Sequence, residues 1–269
     1  MKAIIALFLL LPLCSSVTSY ADDDVGITVE RLTWAGIKLV REDTTVLIDA
    51  VGRDLWNGEA PEGLVAVTSD TGRTYALITH THNDHFDVDT LARVLGDRGY
   101  VICHESEATY IASRGLRVIP ATYHEPVFRG GFGFTAVPAE DGFGSHQVSW
   151  IVSDGHRRFL HGGDTLWHGQ WENIGRHYGP FDVAFLPING ARVPRGAVES
   201  VAVQTPLQAV DAAELLRADV LVPIHYGLND PPNYVEVERP LDTLRSIAIR
   251  RGQSVRHLSP GEQWVLDGR

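Results

Sequence analysis

Apolar and β-branched residues recur along most of this chain in short runs of the kind that form β-strands. The first runs, 27–34, 37–41 and 45–49, predict an opening meander of strands that ends at Asp49. The later runs that we expect to be strands are 75–78, 100–103, 116–120, 126–138, 148–153, 159–161, 182–188 and 220–224. The chain is therefore expected to be rich in β-structure.

Apolar residues at helical spacing separate these strand patterns at four places. The expected helices are 88–97, 106–114, 206–217 and about 240–250. The third helix follows a capping box that starts at Thr205, with Pro206 at its first position, and two short strands follow the last helix. Strands and helices alternate without an internal repeat or a low-complexity linker, which indicates a single α/β domain.

The first 21 residues have the composition of an export signal. Lys2 supplies a positive end, residues 3–13 form an apolar run too short to anchor stably, and small residues stand at Ser19 and Ala21. We expect cleavage after Ala21 and a mature domain of residues 22–269, periplasmic or secreted, without a transmembrane domain. An uncleaved N-terminal anchor is the alternative.

Composition narrows the class of function. The 269 residues are 44% hydrophobic, which suits one globular domain with a sizeable core. The formal charge of −11 disfavours a basic nucleic-acid-binding surface, so we expect a small-molecule substrate and no nucleic acid. Cys103 stands alone once the leader is removed, which excludes an intrachain disulfide in the mature protein. The oligomeric state stays open.

Histidines and carboxylates are concentrated directly after the strand pattern at 75–78. His80, His82, Asp84 and His85 fall within six positions. Neutral imidazoles and carboxylates are the usual ligands of zinc, manganese and iron. The spacing lets His80 and His82 converge on one ion while Asp84 and His85 turn toward a second. Two ions about 3.5–4 Å apart form the clamp used in metal-assisted hydrolysis.

The motif His80-x-His82-x-Asp84-His85 resembles the signature of the metallo-β-lactamase superfamily, in particular its lactonase-like and N-acyl-phosphatidylethanolamine phospholipase D-like members. The resemblance extends over most of the chain and implies a single-domain, four-layer αββα sandwich. It implies that Asp164, within a Gly-Asp-Thr motif, bridges two metals, and that His225 is the last metal ligand. Asp49 would support the ligands from behind, or merely cap its loop.

The third metal-binding motif departs from the commonest pattern of this family. Related members often carry Pro-Ala-x-His after the strand that ends here at Pro138, whereas this chain has Asp141 in the place of the histidine. Some lactonase-like relatives use a carboxylate, so we expect Asp141 to be the ligand, with His146 as the alternative. An additional oxygen ligand shifts the preference toward manganese or iron, although zinc remains an option.

Several other residues are candidates for substrate binding. Asn189 and Arg192 follow the strand at 182–188, where loops tend to carry function, although a solvated loop explains Arg192 equally well. Trp56 lies in a long loop that would form a lid or substrate wall, or pack on the core. The remaining candidates are Tyr226 and His168.

These features indicate a dinuclear metal-dependent hydrolase. Two divalent ions, the carboxylates of Asp84, Asp141 and Asp164, and one hydroxide would make a neutral site. That hydroxide would attack a small ester, lactone or phosphodiester while Asp84 shuttles the proton, and no serine or cysteine nucleophile is needed.

Three other classes of function compete with this interpretation. An exported β-lactamase-type amide hydrolase is disfavoured by Asp164 and by the absence of Ala-Gly-Gly after His85. A redox diiron protein is disfavoured because no flavin domain and no acidic ligand at position 82 are present. A non-catalytic metal-binding protein is disfavoured by the complete set of candidate ligands.

Overall fold

The computed structural model describes residues 25–53, 55, 63–69, 72–195 and 198–267. The predicted export signal and Trp56 lie outside this part of the chain. Within it, none of the helices has the length and apolarity that a membrane crossing requires.

One half of the molecule is built on a seven-stranded sheet. Its strands are β1 (Ile27–Arg31), β2 (Ile37–Arg41), β3 (Thr44–Ile48), β4 (Arg73–Leu77), β5 (Tyr100–His104), β6 (Val118–Ala121) and β15 (Gln263–Leu266). Their order across the sheet is β15-β1-β2-β3-β4-β5-β6. The strands from β3 to β6 run parallel, so the carboxyl ends of β3 and β4 lie side by side. Asp49 follows the first of these ends and Thr79 the second.

The other half is built on a six-stranded sheet. Its strands are β7 (Val127–Arg129), β8 (Phe132–Pro138), β9 (Val148–Ser153), β10 (Arg158–His161), β11 (Phe181–Pro187) and β14 (Ala218–Ile224). Their order is β14-β11-β10-β9-β8-β7, and β10, β11 and β14 run parallel. Their carboxyl ends therefore present Asp164 and His225 at one edge. A separate ribbon pairs β12 (Arg192–Arg195) with β13 (Val198–Val201).

The two sheets pack face to face and helices cover their outer faces. The central core joins Ile48 and Leu77 of one sheet to Trp150 and Phe185 of the other. The helices are α1 (Val88–Leu95), α2 (Glu105–Ser113), α3 (Trp171–Tyr178), α4 (Pro206–Leu216) and α5 (Pro240–Arg251). One outer core packs α1 and α2 on the seven-stranded sheet, and another packs α3, α4 and α5 on the six-stranded sheet. The expected four-layer αββα sandwich is thus confirmed.

Three expected strands differ from the structure. The first ends at Arg31 rather than at residue 34, because a tight turn follows in which Leu32 N donates to Gly36 O at 2.8 Å. The pattern at 126–138 is two strands, since Gly130 and Gly131 both take positive φ angles and reverse the chain. Between α5 and residue 267, where the described residues end, there is one strand, β15, rather than two.

Helix α3 was not among the expected helices. Gly175 lies in its middle, and glycine is a poor helix former. A Cβ at this position would lie 1.9 Å from the carbonyl oxygen of Leu215 in α4. The glycine thus weakens the local helical signal while it lets α3 and α4 approach each other closely.

Candidate metal centre

The candidate ligands converge at one edge of the sandwich. They come from the loop after β4 and from the carboxyl ends of β8, β10 and β14. The structure brings them into three groups, and within each group the ligand atoms lie within 4.8 Å of one another. We call Asp84, His85 and His225 the inner triad, and His82, Asp141 and Asp164 the outer triad. The third group, His80, His85 and Asp164, connects the two.

The inner triad is buried, and its atoms face one another around one carboxylate oxygen. Asp84 Oδ2 lies 3.5 Å from His85 Nε2 and 3.8 Å from His225 Nε2. His225 Nε2 is also 3.9 Å from Asp164 Oδ2, which links this triad to the carboxylate expected to bridge two metals. Such nitrogen and oxygen atoms, converging on a common point, are suited to hold one ion.

The outer triad lies nearer to the surface, where His82 is partly exposed, and its three members come from the loops after β4, β8 and β10. His82 Nε2 is 3.8 Å from Asp141 Oδ2 and 2.8 Å from the Ser145 hydroxyl. Asp141 accepts hydrogen bonds from Phe143 N at 2.9 Å and Ser145 N at 2.7 Å, so it orders its own loop. The same carboxylate that closes this turn is therefore available to a metal from its other side.

Unpaired buried nitrogens support a divalent-metal centre here. The Nε2 atoms of His80, His85 and His225 are buried and have no hydrogen-bond partner within the described residues. Leaving such polar atoms unpaired is costly, and each of the three faces a carboxylate oxygen across a gap of 3.5–3.8 Å. Imidazole nitrogens and carboxylate oxygens in this arrangement suit zinc, manganese or iron. The residues present fit the metal centre that the sequence motif predicts.

Burial, together with the neighbouring charges, shifts the pKa values of these groups strongly. Burial raises the pKa of Asp164 to about 8, His85 opposes this, and the carboxylates of Asp84 and Asp141 add to the increase. Burial lowers the pKa of His85, but Asp84 and Asp49 outweigh it and raise the pKa to about 10. Burial also lowers the pKa of His225 to about 4. So many charges in a buried space are expected where cations bind.

Asp49 holds one of the inner ligands from behind. Its Oδ2 atom lies 2.8 Å from His85 Nδ1 and accepts the Thr79 hydroxyl at 2.7 Å, while Oδ1 accepts Thr79 N at 2.9 Å. Of the two interpretations of Asp49, the structure therefore favours support of a candidate ligand over a simple loop cap. A carboxylate on the far nitrogen fixes the ring so that Nε2 points into the centre.

His146, the alternative to Asp141, faces away from the three groups. Its Nε2 lies 3.1 Å from the Tyr123 hydroxyl, and its Nδ1 lies 3.1 Å from the Ser106 hydroxyl. Its ring stacks on His104 at a centroid distance of 4.4 Å. The structure places Asp141 rather than His146 beside His82, as the position of the third motif predicts; whether Asp141 binds a metal stays a prediction.

A cavity of about 390 Å³ opens onto the candidate centre. Its described lining residues are Thr81, His82, Asn83, Asp84, Phe143, Asp164, His225 and Tyr234. Phe143 stands beside His82 with a ring distance of 5.8 Å. Tyr234 accepts a hydrogen bond from Asn189 Nδ2 at 2.5 Å, and burial raises the pKa of its hydroxyl well above the usual range. The hydroxyl thus stays protonated.

The expected substrate residues occupy other places in the molecule. Asn189 is buried behind Tyr234 and reaches the cavity only through it. The Tyr226 hydroxyl accepts from Arg31 at 2.7 Å, and His168 stacks on Trp171 at 4.2 Å. Arg192 is exposed and pairs its backbone with Val235. Among the described residues, none of these four forms part of the cavity wall.

Three residues at the centre, Trp34, Phe143 and Tyr234, were missed by sequence reasoning. Tyr234 lies in a segment without a regular pattern, and Trp34 contacts Asp84 from 50 positions away. No local sequence pattern indicates that Tyr234 lines the cavity or that Trp34 contacts Asp84. Phe143 could have been found, because it stands two residues after Asp141 in the same loop.

Comparison with known proteins gives concordant matches. A family model described as a β-lactamase superfamily domain matches residues 44–226. A UPF0173 metal-dependent hydrolase of Thermus thermophilus is 32% identical over 253 residues, covering 90% of this chain and 100% of the relative. Another, from Rubrobacter xylanophilus, is 32% identical over 216 residues, covering 73% of this chain and 81% of the relative.

Solved structures share the fold at lower identity. Igni18, a metallo hydrolase from Ignicoccus hospitalis, gives a TM-score of 0.69 at 21% identity and covers 91% of this chain and all (100%) of the other. An isothiocyanate hydrolase from Delia radicum gut bacteria gives a TM-score of 0.70 at 16% identity, covering 90% of this chain and 100% of the other. At these identities the likeness concerns the fold alone.

Proposed function

Because this chain belongs to the β-lactamase superfamily and is a metal-dependent hydrolase of the UPF0173 type, we propose that it binds two divalent ions and hydrolyses a small, uncharged carboxylic ester or lactone. The observation that carries the dinuclear part is the pair of triads. The inner and outer triads use different residues, and the group formed by His80, His85 and Asp164 lies between them. The two triads offer six ligands from six different residues, more than the four that one tetrahedral ion uses, which supports two ions.

The chemistry follows from where the side chains stand. When bound, two divalent ions supply Lewis-acid activation of water and of the electrophilic group. Asp164 would hold the ions from between the two triads, since its Oδ1 lies 3.7 Å from His80 Nε2 and its Oδ2 lies 3.9 Å from His225 Nε2. Asp84 lines the cavity and is our candidate for the group that passes the proton to the leaving oxygen.

The cavity wall favours an uncharged substrate. Among its described lining residues there is no lysine or arginine, while Asp84 and Asp164 contribute negative charge. A phosphodiester is an anion. Apart from the metals, the described lining residues would offer it no lysine or arginine side chain. The rings of Phe143 and Tyr234 instead offer apolar contact to a neutral substrate. This supports ester or lactone substrates, and with them the lactonase-like branch, over phosphodiesters.

The test is a substrate panel on metal-loaded protein. Neutral aryl esters and lactones, bis-p-nitrophenyl phosphate and a chromogenic cephalosporin would be compared by kcat/KM, each with and without chelator. We expect chelator-sensitive hydrolysis of the esters or lactones, with the other two substrates clearly slower. Faster turnover of the phosphodiester or of the β-lactam would overturn the substrate class while leaving the metal-dependent hydrolase in place.

The carboxylate of Asp141 in the third motif bears on which metals the centre would prefer. With Asp141 in the outer triad, three carboxylates and four histidines surround the centre. We propose that the third carboxylate, which stands where related chains carry a histidine, shifts the preference from zinc toward manganese or iron. Elemental analysis of protein purified without added metal tests this, and zinc at both positions would contradict it.

We further propose that the chain is exported and cut near Ala21, as the composition of residues 1–21 suggests. N-terminal sequencing of native protein would check this. Native protein that begins at Met1 in a cytoplasmic fraction would be the contrary result.

A further inference from the structure

The turn between β1 and β2 belongs to the seven-stranded sheet, yet it reaches candidate ligands on both sheets. It is closed by hydrogen bonds from Leu32 N to Gly36 O at 2.8 Å and from Gly36 N to Thr33 O at 2.9 Å. Trp34 stands in the turn with a φ of 59° and a side chain that is 2% exposed. A tryptophan rarely adopts this left-handed backbone, so the surrounding contacts must hold it there.

The indole of Trp34 binds one of the inner ligands directly. Its Nε1–H donates to Asp84 Oδ2 at 3.1 Å. This oxygen is the one that faces His85 Nε2 at 3.5 Å and His225 Nε2 at 3.8 Å. The hydrogen bond therefore fixes the rotamer that directs Asp84 toward the other two members of the inner triad.

Trp34 also holds the last ligand of the inner triad. The ring centroids of Trp34 and His225 are 4.0 Å apart, and the backbone N–H of His225 donates to the Trp34 carbonyl oxygen at 3.3 Å. His225 itself has a φ of 55°, so its backbone needs support of this kind at the end of β14. One residue thus braces two candidate ligands that come from different sheets.

The next residue of the same turn steadies the loop that carries Asp164. Ala35 O lies 2.8 Å from His161 Nε2, and Gly163 N donates to His161 Nδ1 at 3.2 Å. These two contacts agree only with a neutral ring that carries its proton on Nε2. The β1–β2 turn is therefore connected to Asp84, to His225 and, through His161, to the residue before Asp164.

We propose that Trp34 is a positioning residue of the metal centre, whose indole N–H and carbonyl hold Asp84 and His225 in the geometry that binds an ion in the inner triad. This rests on the proposed function in one respect, namely that the inner triad binds an ion. Partners that orient metal ligands typically account for about 10–100-fold in metal affinity. Removal of the indole N–H should therefore weaken one ion and spare the other.

The experiment compares Trp34→Phe with a matched control, Trp150→Phe. Trp150 is likewise fully buried, and its Nε1–H also donates a hydrogen bond, to Ile78 O at 2.9 Å. Both variants lose an indole N–H bond and the same ring area, but only Trp34 has a candidate ligand as its acceptor. Metal affinities would be measured by chelator competition, and the thermal stability of metal-free protein by calorimetry.

We expect Trp34→Phe to weaken the binding of one ion about 10–100-fold and to leave the other close to wild type. Trp150→Phe should lose comparable stability and keep both affinities. Wild-type affinities for both ions in Trp34→Phe would overturn the positioning role. A wild-type protein that binds no ion would overturn the proposed function as well, so the two failures are distinguishable.

A second variant covers the case in which Trp34→Phe does not fold. Site-specific replacement of Trp34 by benzothienylalanine keeps the shape of the two rings and removes only the N–H donor. The same selective loss of one ion is expected. Unchanged affinity for both ions in this variant would contradict the proposal even if Trp34→Phe could not be studied.

Discussion

The two triads of the candidate centre are built in different ways. The members of the inner triad are buried, and their partners come from distant parts of the chain: Asp49 binds His85, and Trp34 binds Asp84 and His225. In the outer triad the His82 side chain is 32% exposed, and its partner Ser145 lies in the same loop as Asp141. The inner triad is held by the core, whereas two members of the outer triad, His82 and Asp141, are held by contacts from the loop after β8.

This difference indicates how the two ions should behave. Ligands that the core already fixes lose little conformational entropy when a metal binds. A loop that must become ordered in one conformation loses more. The inner triad should therefore bind its ion more tightly and release it more slowly than the outer triad. The variants below are expected to change the metal affinity of one triad more than that of the other.

The largest effect is expected from His85→Ala, because His85 belongs both to the inner triad and to the group that connects it to the outer triad. The variant should lose the inner ion and more activity than the roughly 10–100-fold typical of outer partners. It also leaves the buried Asp49 without its imidazole partner, which costs roughly 3–5 kcal/mol of stability. Metal analysis and urea unfolding measure the two effects.

The double variant Asp49→Asn/His85→Ala separates metal loss from destabilisation. An asparagine carries no charge; its Oδ1 can still accept from Thr79 N, and its amide N–H can donate to the Thr79 hydroxyl oxygen in place of the bond that this hydroxyl now donates. The double variant should therefore be more stable than His85→Ala while it still lacks the ion. A single variant that keeps both ions would contradict the assignment of the inner triad.

The next effect concerns the outer triad and compares Asp141→Ala with His146→Ala. Asp141 lies 3.8 Å from His82, whereas His146 binds Tyr123 and Ser106. Asp141→Ala should lose one ion and nearly all turnover, and His146→Ala should keep both ions. Loss of an ion from His146→Ala, with both retained in Asp141→Ala, would show that the histidine is the ligand.

Whether a feature of the fold or of the candidate centre could be predicted from the sequence depends on how far apart the contacting residues lie in the chain. Ligands grouped in a local motif, such as His80 to His85, were visible because their spacing alone limits where they can point. The strand before His225 was visible as an apolar run. The brace from Trp34 to Asp84 spans 50 positions and crosses between segments, so only the folded structure shows it.

The candidate substrate residues show the same limit of prediction from sequence. Asn189 stands at the end of a strand, as expected of a functional residue, yet its side chain turns to the Tyr234 hydroxyl. The residue that reaches the cavity is Tyr234, 45 positions further along the chain. Sequence position indicates the edge of the sheet where a side chain lies, but not which side chain covers another.

The smallest effect is expected from Ser145→Ala, which tests how far the outer triad depends on its loop. The substitution removes the hydroxyl that lies 2.8 Å from His82 Nε2 but keeps the backbone N–H that binds Asp141. Because a metal on Nε2 would displace this contact, the affinity of the outer ion should change by less than about 10-fold, and the affinity of the inner ion should be unaffected. Chelator competition measures both affinities. Equal weakening of the two ions would contradict the separation of the triads.

The central claim is that this chain is a hydrolase with two metal ions, and metal content measured together with activity tests it most directly. Elemental analysis of active protein should find about two transition-metal ions per chain, one for each triad. Graded chelation should remove the outer ion before the inner one, abolish hydrolysis, and be reversed by added metal. Active protein with no more than a trace of bound metal would contradict the account.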